Sequence, residues 1–287
     1  MKIILAQHYG LCFGVRDAIA EAEQLARSGP LTILGELVHN PIVRERLAEH
    51  GVREAALDDF ANATPQVMIT AHGASDRQRA EWRAAGFGVA DGTCPLVKHA
   101  HTQLGALVAA GFFPVVIGKR GHVEVLGLTG DFPEACVIER EEEIPWLPAH
   151  GRYGIISQTT QPLDKVRALV EAIRRARPGS EVRFVDTVCQ PTKNRQNALR
   201  KLLAECDTLV VVGGRNSNNT LQLAATARAA GLRVFHIERP GELDAQSFID
   251  SRVTGITAGT STLKETVAAV QARIEQIAAS QCVTATV

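Results

Sequence analysis

The chain reads as an α/β protein with mostly parallel strands, and three observations predict it. Short apolar runs of strand length alternate with stretches of helical spacing along the sequence. The runs are continuously apolar rather than alternating, as expected of strands buried on both faces of a sheet. After nearly every run comes a loop of small or polar residues, the place where open parallel sheets carry their ligands.

Taken in order, Ile3–Ala6 is the first strand and Val15–Arg27 the helix that follows it. Leu31–Leu34 and Val67–Thr70 are strands that end in Val38-His39-Asn40-Pro41 and Ala71-His72-Gly73, and Asp76–Ala85 is helical. The uncharged stretch Thr102–Gly118 is broken by Gly111 and Pro114, so its front half is a helix and Pro114–Ile117 a strand. Tyr153–Ile156 leads through Ser157-Gln158-Thr159-Thr160 into the helix Pro162–Arg177, and Arg183–Val185 precedes the helix Thr192–Glu205. Leu209–Val212, Arg233–Ile237 and Val253–Ala258 are the last strands, with Leu263–Ala279 the closing helix.

The 287 residues suit two or three domains, and 45% apolar with 22% charged residues can fill a globular core. Lys plus Arg equal Asp plus Glu at 31 each, which provides no basic field for nucleic acid or an anionic membrane. No stretch reaches the roughly 20 apolar residues of a membrane-spanning helix. The start, Met-Lys-Ile-Ile-Leu-Ala, lacks a signal-peptide pattern, so a cytoplasmic location is expected. The six cysteines, at 12, 94, 136, 189, 206 and 282, include no Cys-x-x-Cys, which excludes ferredoxin, thioredoxin and zinc-ribbon patterns. Neither a Gly-Lys-Ser/Thr phosphate loop nor a strand-linked Gly-x-Gly-x-x-Gly is present.

Asp91-Gly-Thr-Cys94 and Asp186-Thr-Val-Cys189 echo one another at strand-to-helix turns, and Cys12 in Gly10-Leu-Cys12-Phe-Gly14 occupies a similar turn. The three fall about one per third of the chain, as if three similar α/β units each contributed one cysteine to a common centre. A thiolate at a helix N-terminus is favoured by the helix dipole and selects soft metals. Three cysteines on a 4Fe–4S cluster would leave one iron open to a substrate oxygen. Against this stands the fact that unligated cysteine is commonly a buried, inert side chain; Cys136, Cys206 and Cys282 are read that way. His39, His72 and His122 stand at strand ends, whereas His8, His50, His99, His101, His150 and His236 have no comparable setting. With Ser217, Asn219 and Ser261 they make a hydrogen-bonding cage suited to a diphosphate. Glu124 beside His122 is the natural proton carrier, because a buried carboxyl near an anion has a raised pKa.

Eight motifs, in order, carry a family resemblance: Gly10-Leu-Cys12-Phe-Gly14-Val, Val38-His39-Asn40, Ala71-His72-Gly73, Thr93-Cys94-Pro95-Leu-Val97, Gly121-His122-Val-Glu124-Val, Ser157-Gln-Thr159-Thr160, Cys189-Gln-Pro-Thr192-Lys-Asn-Arg195-Gln196 and Asn216-Ser217-Asn218-Asn219. The chain resembles the 4-hydroxy-3-methylbut-2-enyl diphosphate reductases, iron–sulfur enzymes that end the methylerythritol phosphate route to isoprenoids, over about Met1 to Ala279. The resemblance implies three α/β domains in a pseudo-threefold trefoil around a 4Fe–4S cluster held by Cys12, Cys94 and Cys189. The corresponding division is an N-terminal strand with the first ligand in 1–13, domains at 14–95, 96–190 and 191–280, and a tail at 281–287. It implies a diphosphate bound among His39, His72, His122, Ser217, Asn218, Asn219 and Ser261. Thr159 would orient the substrate hydroxyl and a water, and Glu124 would feed protons, with His122 beside them. The open iron would bind the allylic hydroxyl, whose loss as water yields isopentenyl and dimethylallyl diphosphates, with electrons from a flavodoxin or ferredoxin.

Several positions depart from the family pattern: Phe13, the order Arg16-Asp17, Asn218, Thr262-Leu263 and the basic Gly118-Lys119-Arg120-Gly121. None removes a proposed ligand or the acid, and Asn218 keeps a hydrogen-bond donor. Three other functions share these residues: a related reductase acting on a different hydroxylated molecule, a non-catalytic iron–sulfur redox protein, and a zinc hydrolase using the same cysteines.

Overall fold

A computed structural model describes the backbone of residues 1–38 and 40–284, and side chains up to Gln281. It contains three four-stranded sheets in which every strand pair is parallel. The chain divides into two compact units. One comprises Met1–Arg16, Val38–Val43 and Pro191–Val287; the other comprises Asp17–Leu37 and Arg44–Gln190.

The first unit holds one sheet, built from β1 (Lys2–Leu5), β10 (Thr208–Val212), β11 (Arg233–Ile237) and β12 (Val253–Ala258), ordered β1-β12-β10-β11. Its core explains the apolar runs. Val210 and Val212 face the helix α9 (Lys264–Thr284) through Val267, Val270, Ile274 and Ile277. Leu209 and Val211, pointing the other way, pack on Leu199 and Leu202 of α7 (Gln190–Leu203) and on Leu223, Ala224 and Ala227 of α8 (Asn218–Ala229). A strand covered on both faces has no reason to alternate polar with apolar.

The second unit holds two sheets. One is ordered β3-β2-β4-β5, from β2 (Leu31–Leu34), β3 (Arg53–Ala55), β4 (Gln66–Ile69) and β5 (Gly88–Asp91). The other is ordered β7-β6-β8-β9, from β6 (Phe113–Ile117), β7 (Cys136–Ile138), β8 (Arg152–Ser157) and β9 (Glu181–Phe184). Val115, Ile117, Tyr153 and Ile155 pack against Val166, Leu169, Val170 and Ile173 of α6 (Leu163–Ala176). On the other face Val116 and Ile156 pack on Ala100, Leu104 and Leu107 of α4 (Pro95–Ala109) and on Val125 and Leu128 of α5 (Val123–Thr129). Beside the first of these sheets, Trp82 of α3 (Asp76–Ala84) is 1% exposed, stacks on Phe60 at 4.1 Å and donates its indole N–H to Leu57 O. The two remaining helices are α1 (Phe13–Ser28) and α2 (Pro41–Glu49).

All three sheets share one pattern. In each, the first strand lies between the second and the third, and the fourth pairs outside the third. In the first unit the fourth place is taken by β1. The sequence reading missed β3, β5 and β7, all edge strands with partly exposed residues, and the helices α2, α5 and α8.

Candidate active site

The cysteines occupy equivalent positions in the three sheets. Each immediately precedes the first residue of a helix: Cys12 before α1, Cys94 before α4, Cys189 before α7. Each sends its backbone N–H to a carbonyl just past the end of the neighbouring strand, extending the parallel ladder into the loops. Cys12 N–H donates to Thr260 O at 3.2 Å, Cys94 N–H to Ala71 O at 3.1 Å, and Cys189 N–H to Thr159 O at 2.9 Å. Two residues earlier the ladder is the same for two of them, with Gly10 N–H to Ala258 O and Gly92 N–H to Ile69 O. For the third, the Thr187 hydroxyl takes over this role, accepting Ser157 N–H and donating to Ser157 O.

This ladder ties each cysteine to a loop of candidate substrate residues: His72 follows Ala71, Thr159 accepts directly, and Ser261 follows Thr260. The echo noted between two of the cysteine turns is an aspartate turn, in which Asp91 Oδ1 accepts Thr93 N–H and Asp186 Oδ1 accepts Val188 N–H, both at 3.1 Å. Among the described residues no cysteine is in a disulfide. Burial pushes the thiols of Cys136 and Cys206 up, keeping them protonated. Cys282 lies outside the described side chains.

In the second unit the structure brings together His72, His122, Glu124 and Thr159. Gly118–Gly121 leads from β6 to His122, whose Nδ1 accepts the Glu124 N–H at 3.1 Å and so caps α5. An accepting Nδ1 leaves the ring proton on Nε2, pointing a donor away from the helix. The His72 ring meets the His122 ring edge-on, with centroids 5.5 Å apart. Two glycines permit this approach. A Cβ on Gly127 would stand 3.3 Å from Ala74 Cα, and Gly73 has φ +81° with Thr93 Cγ2 3.0 Å from its would-be Cβ.

Glu124 is 2% exposed. Its Oε1 accepts Thr159 N–H at 2.6 Å and its Oε2 accepts the Thr159 hydroxyl at 3.0 Å. Burial raises the carboxyl to a pKa of about 7, against the two Thr159 hydrogen bonds that pull it down. Gln158, fully buried, joins the two loops: its Oε1 accepts Lys119 N–H at 3.0 Å and a Gln161 side-chain N–H at 2.8 Å.

In the first unit Ser217, Asn218, Asn219 and Ser261 are all buried. Ser217 caps α8 by accepting Thr220 N–H, and Asn219 Oδ1 accepts Thr260 N–H at 3.1 Å. The Ser261 hydroxyl is buried with no hydrogen-bond partner among the described residues. His39 lies outside the described residues.

Sequence reasoning missed three residues here. Asn40 is buried and bonded to Ser261, although Val38-His39-Asn40 had marked its neighbourhood. Gln158 sits unremarked inside Ser157-Gln-Thr159. His236, which had no setting in the sequence, places Nε2 2.9 Å from Gly213 O, at the root of the Gly213–Asn219 loop.

A cavity of about 370 Å³ opens beside His72 and Thr93, also lined by Arg79, Asp91, Lys98 and His101. Within it Lys98 lies 3.0 Å and Arg79 3.7 Å from Asp91. Nearby, Asp76, His101 and Asp131 bring three possible metal-ligating atoms within 4.8 Å of one another. Those carboxylates already have work: Asp131 accepts the first two N–H groups of α3, and Asp76 pairs with Arg79.

The LytB protein family matches residues 3–275. A 4-hydroxy-3-methylbut-2-enyl diphosphate reductase of Geotalea daltonii is 37% identical, covering 97% of this chain and 98% of its own. Another, of Aquifex aeolicus, is 34% identical with 99% of both chains covered. The solved structure of the E-1-hydroxy-2-methyl-but-2-enyl-4-diphosphate reductase from Plasmodium falciparum superposes with a TM-score of 0.87 at 25% identity, covering 96% of this chain and 87% of that one. A solved (E)-4-hydroxy-3-methyl-but-2-enyl diphosphate reductase gives a TM-score of 0.69 at 34% identity, covering 96% of this chain and all of that one. With agreement along almost its entire length, this chain belongs to the LytB protein family.

Proposed function

We propose that the protein is an iron–sulfur oxidoreductase that reductively dehydroxylates 4-hydroxy-3-methylbut-2-enyl diphosphate to isopentenyl and dimethylallyl diphosphates. The observation that carries it, alongside family membership, is the threefold repeat of a helix-starting cysteine bonded through its backbone to a loop of polar site residues. The donor set fits the cofactor: three thiols, none in a disulfide, from three separate strand-to-helix turns. Cys12, Cys94 and Cys189 would hold a 4Fe–4S cluster with one iron lacking a protein ligand. When bound, the cluster supplies electrons and Lewis acidity for the loss of a hydroxyl group that is otherwise a poor leaving group.

The chain's own residues do the rest. His39, His72, His122, Ser217, Asn218, Asn219 and Ser261 bind the diphosphate, the His122 Nε2–H being directed to it by the helix cap at Nδ1. Thr159 donates its hydroxyl proton to Glu124, so its lone pairs accept the substrate hydroxyl and fix its orientation. Glu124, with a pKa near 7, is protonated for much of the time at neutral pH; in that form it donates to the Thr159 hydroxyl oxygen, whose own proton then turns to the substrate, so that a proton passes along this contact. The reaction balances as a C–O bond broken, a C–H bond formed and water released, for two electrons and two protons. A flavodoxin or ferredoxin delivers the electrons. No helix among the described residues is long and apolar enough to cross a membrane.

Anaerobic reconstitution tests this reading. Reduced viologen is mixed with the cluster-loaded protein, and its oxidation is followed on adding 4-hydroxy-3-methylbut-2-enyl diphosphate, with products identified by mass. Rapid oxidation with both five-carbon diphosphates is expected. A loaded cluster without turnover would overturn the substrate and favour a related reductase with another hydroxylated substrate.

A further inference from the structure

We propose that Asn40 is a positioning residue for the substrate diphosphate: its carboxamide holds the Ser261 backbone so that the buried Ser261 hydroxyl faces the ligand, a role that rests on Ser261 being a diphosphate ligand.

Asn40 is 4% exposed and engaged at both ends. Its Oδ1 accepts the Ile42 N–H at 3.0 Å where α2 begins at Pro41, the usual bond of a helix cap. With the oxygen so used, Nδ2 donates to Ser261 O at 2.6 Å, across 221 residues of sequence. Neighbouring residues of the same turn are held by other groups. Thr260 N–H donates to Asn219 Oδ1, Thr260 O accepts Cys12 N–H, and the Thr262 hydroxyl donates to Val212 O at 2.9 Å. Asn40 supplies the hold on the Ser261 carbonyl.

Ser261 is 5% exposed, and its hydroxyl has no hydrogen-bond partner among the described residues. A buried hydroxyl without a partner is destabilising. A turn fixed on several sides maintains that cost until an acceptor such as a diphosphate oxygen arrives. Freed of Asn40, the Ser261 peptide can rotate and its hydroxyl turn to a local carbonyl, which removes the site's readiness to bind. The position calls for asparagine because one group must accept from Ile42 and donate to Ser261 simultaneously.

That double demand gives a clean variant. Asn40→Asp retains the helix cap, since Asp and Asn cap about equally well, but replaces the donor with an oxygen facing the Ser261 carbonyl. In the cluster-loaded enzyme, KM and the inhibition constant of inorganic diphosphate are expected to rise about tenfold, with kcat changed by less than about threefold. Cluster absorbance stays at the wild-type value and the melting temperature falls by only about a few degrees, which separates positioning from a general loss of structure. Ser261→Ala should raise the same two constants, and the double variant should be no worse than Ser261→Ala alone, because the two residues act as a unit.

Unchanged constants in Asn40→Asp, with raised ones in Ser261→Ala, would overturn the role of Asn40 while sparing that of Ser261. An undiminished Asn40→Asp effect in the Ser261→Ala background would show that Asn40 acts elsewhere and would also overturn it. Unchanged constants in Ser261→Ala would remove Ser261 from the diphosphate site, and the Asn40 role with it.

Discussion

Glu124→Gln is expected to make the protein more stable at alkaline pH while making it a poor enzyme. The carboxyl is 2% exposed, and its pKa stands near 7 rather than 4.5. The folded state therefore holds a proton that the unfolded chain releases between those values. Stability on account of this group is undiminished below about pH 4.5 and falls as pH rises, until the full cost is reached above about pH 7. The shift of roughly 2.5 units, at 1.36 kcal/mol each, amounts to about 3 kcal/mol at pH 8 and under about 1 kcal/mol at pH 5. Glutamine keeps an oxygen to accept the Thr159 N–H, and its NH₂ can donate to the Thr159 hydroxyl, so packing is preserved while the ionisation is lost. Urea unfolding of both proteins at pH 5 and pH 8 reads the difference directly: the variant's advantage should grow by about 2 kcal/mol between them. An advantage independent of pH would show that the carboxyl titrates normally and would refute the argument. With Glu124 as the proposed proton source, turnover of the wild-type enzyme should decline as pH rises through about 7, a limb absent from whatever activity remains in the variant.

Cys94→Ser should lose cluster iron, measured as iron and sulfide per chain, whereas Cys206→Ser should retain it; normal iron in the former refutes the ligand assignment. Gly73→Ala forces a side chain into φ +81° and against Thr93 Cγ2, costing about 1–2 kcal/mol by denaturant titration. It should also raise KM by displacing His72; an unchanged KM would separate that histidine from the substrate. Trp82→Ala removes a buried ring stacked on Phe60 and should cost about 3–5 kcal/mol, with cluster content per folded chain unaltered.

Strands covered on both faces could be read from sequence because burial favours apolar residues there: Leu209–Val212 and Phe113–Ile117 are continuous apolar runs. Edge strands could not. Arg53–Ala55 pairs on one side only and leaves two of its three residues exposed, so it carries neither an apolar run nor clean alternation. Val123–Thr129 escaped because it is seven residues long and its pattern is inverted, with Glu124 on the buried face and Leu126 exposed. In the candidate site, cysteines and strand-end histidines stood out by residue type and by their place at turns. Asn40 did not, since its partner lies 221 residues away and nothing local distinguishes a tethering asparagine from a capping one. The carbonyls that receive the three cysteine N–H groups are likewise invisible in a sequence, because any residue supplies a carbonyl.

The strand Lys2–Leu5 finds its partner in Val253–Ala258, at almost the opposite end of the chain. During synthesis the first strand made must therefore wait for the last before it can join a sheet. Until then Cys12 has no Thr260 carbonyl to bond, and the turn bearing Ser261 does not yet exist. A ribosome-bound chain thus carries one unplaced thiol while the sheets containing Cys94 and Cys189 are already complete in sequence. A cluster held in part by Cys12 would form only once residues 253–260 have been made, and a nascent chain stalled before residue 253 should take up no stable cluster.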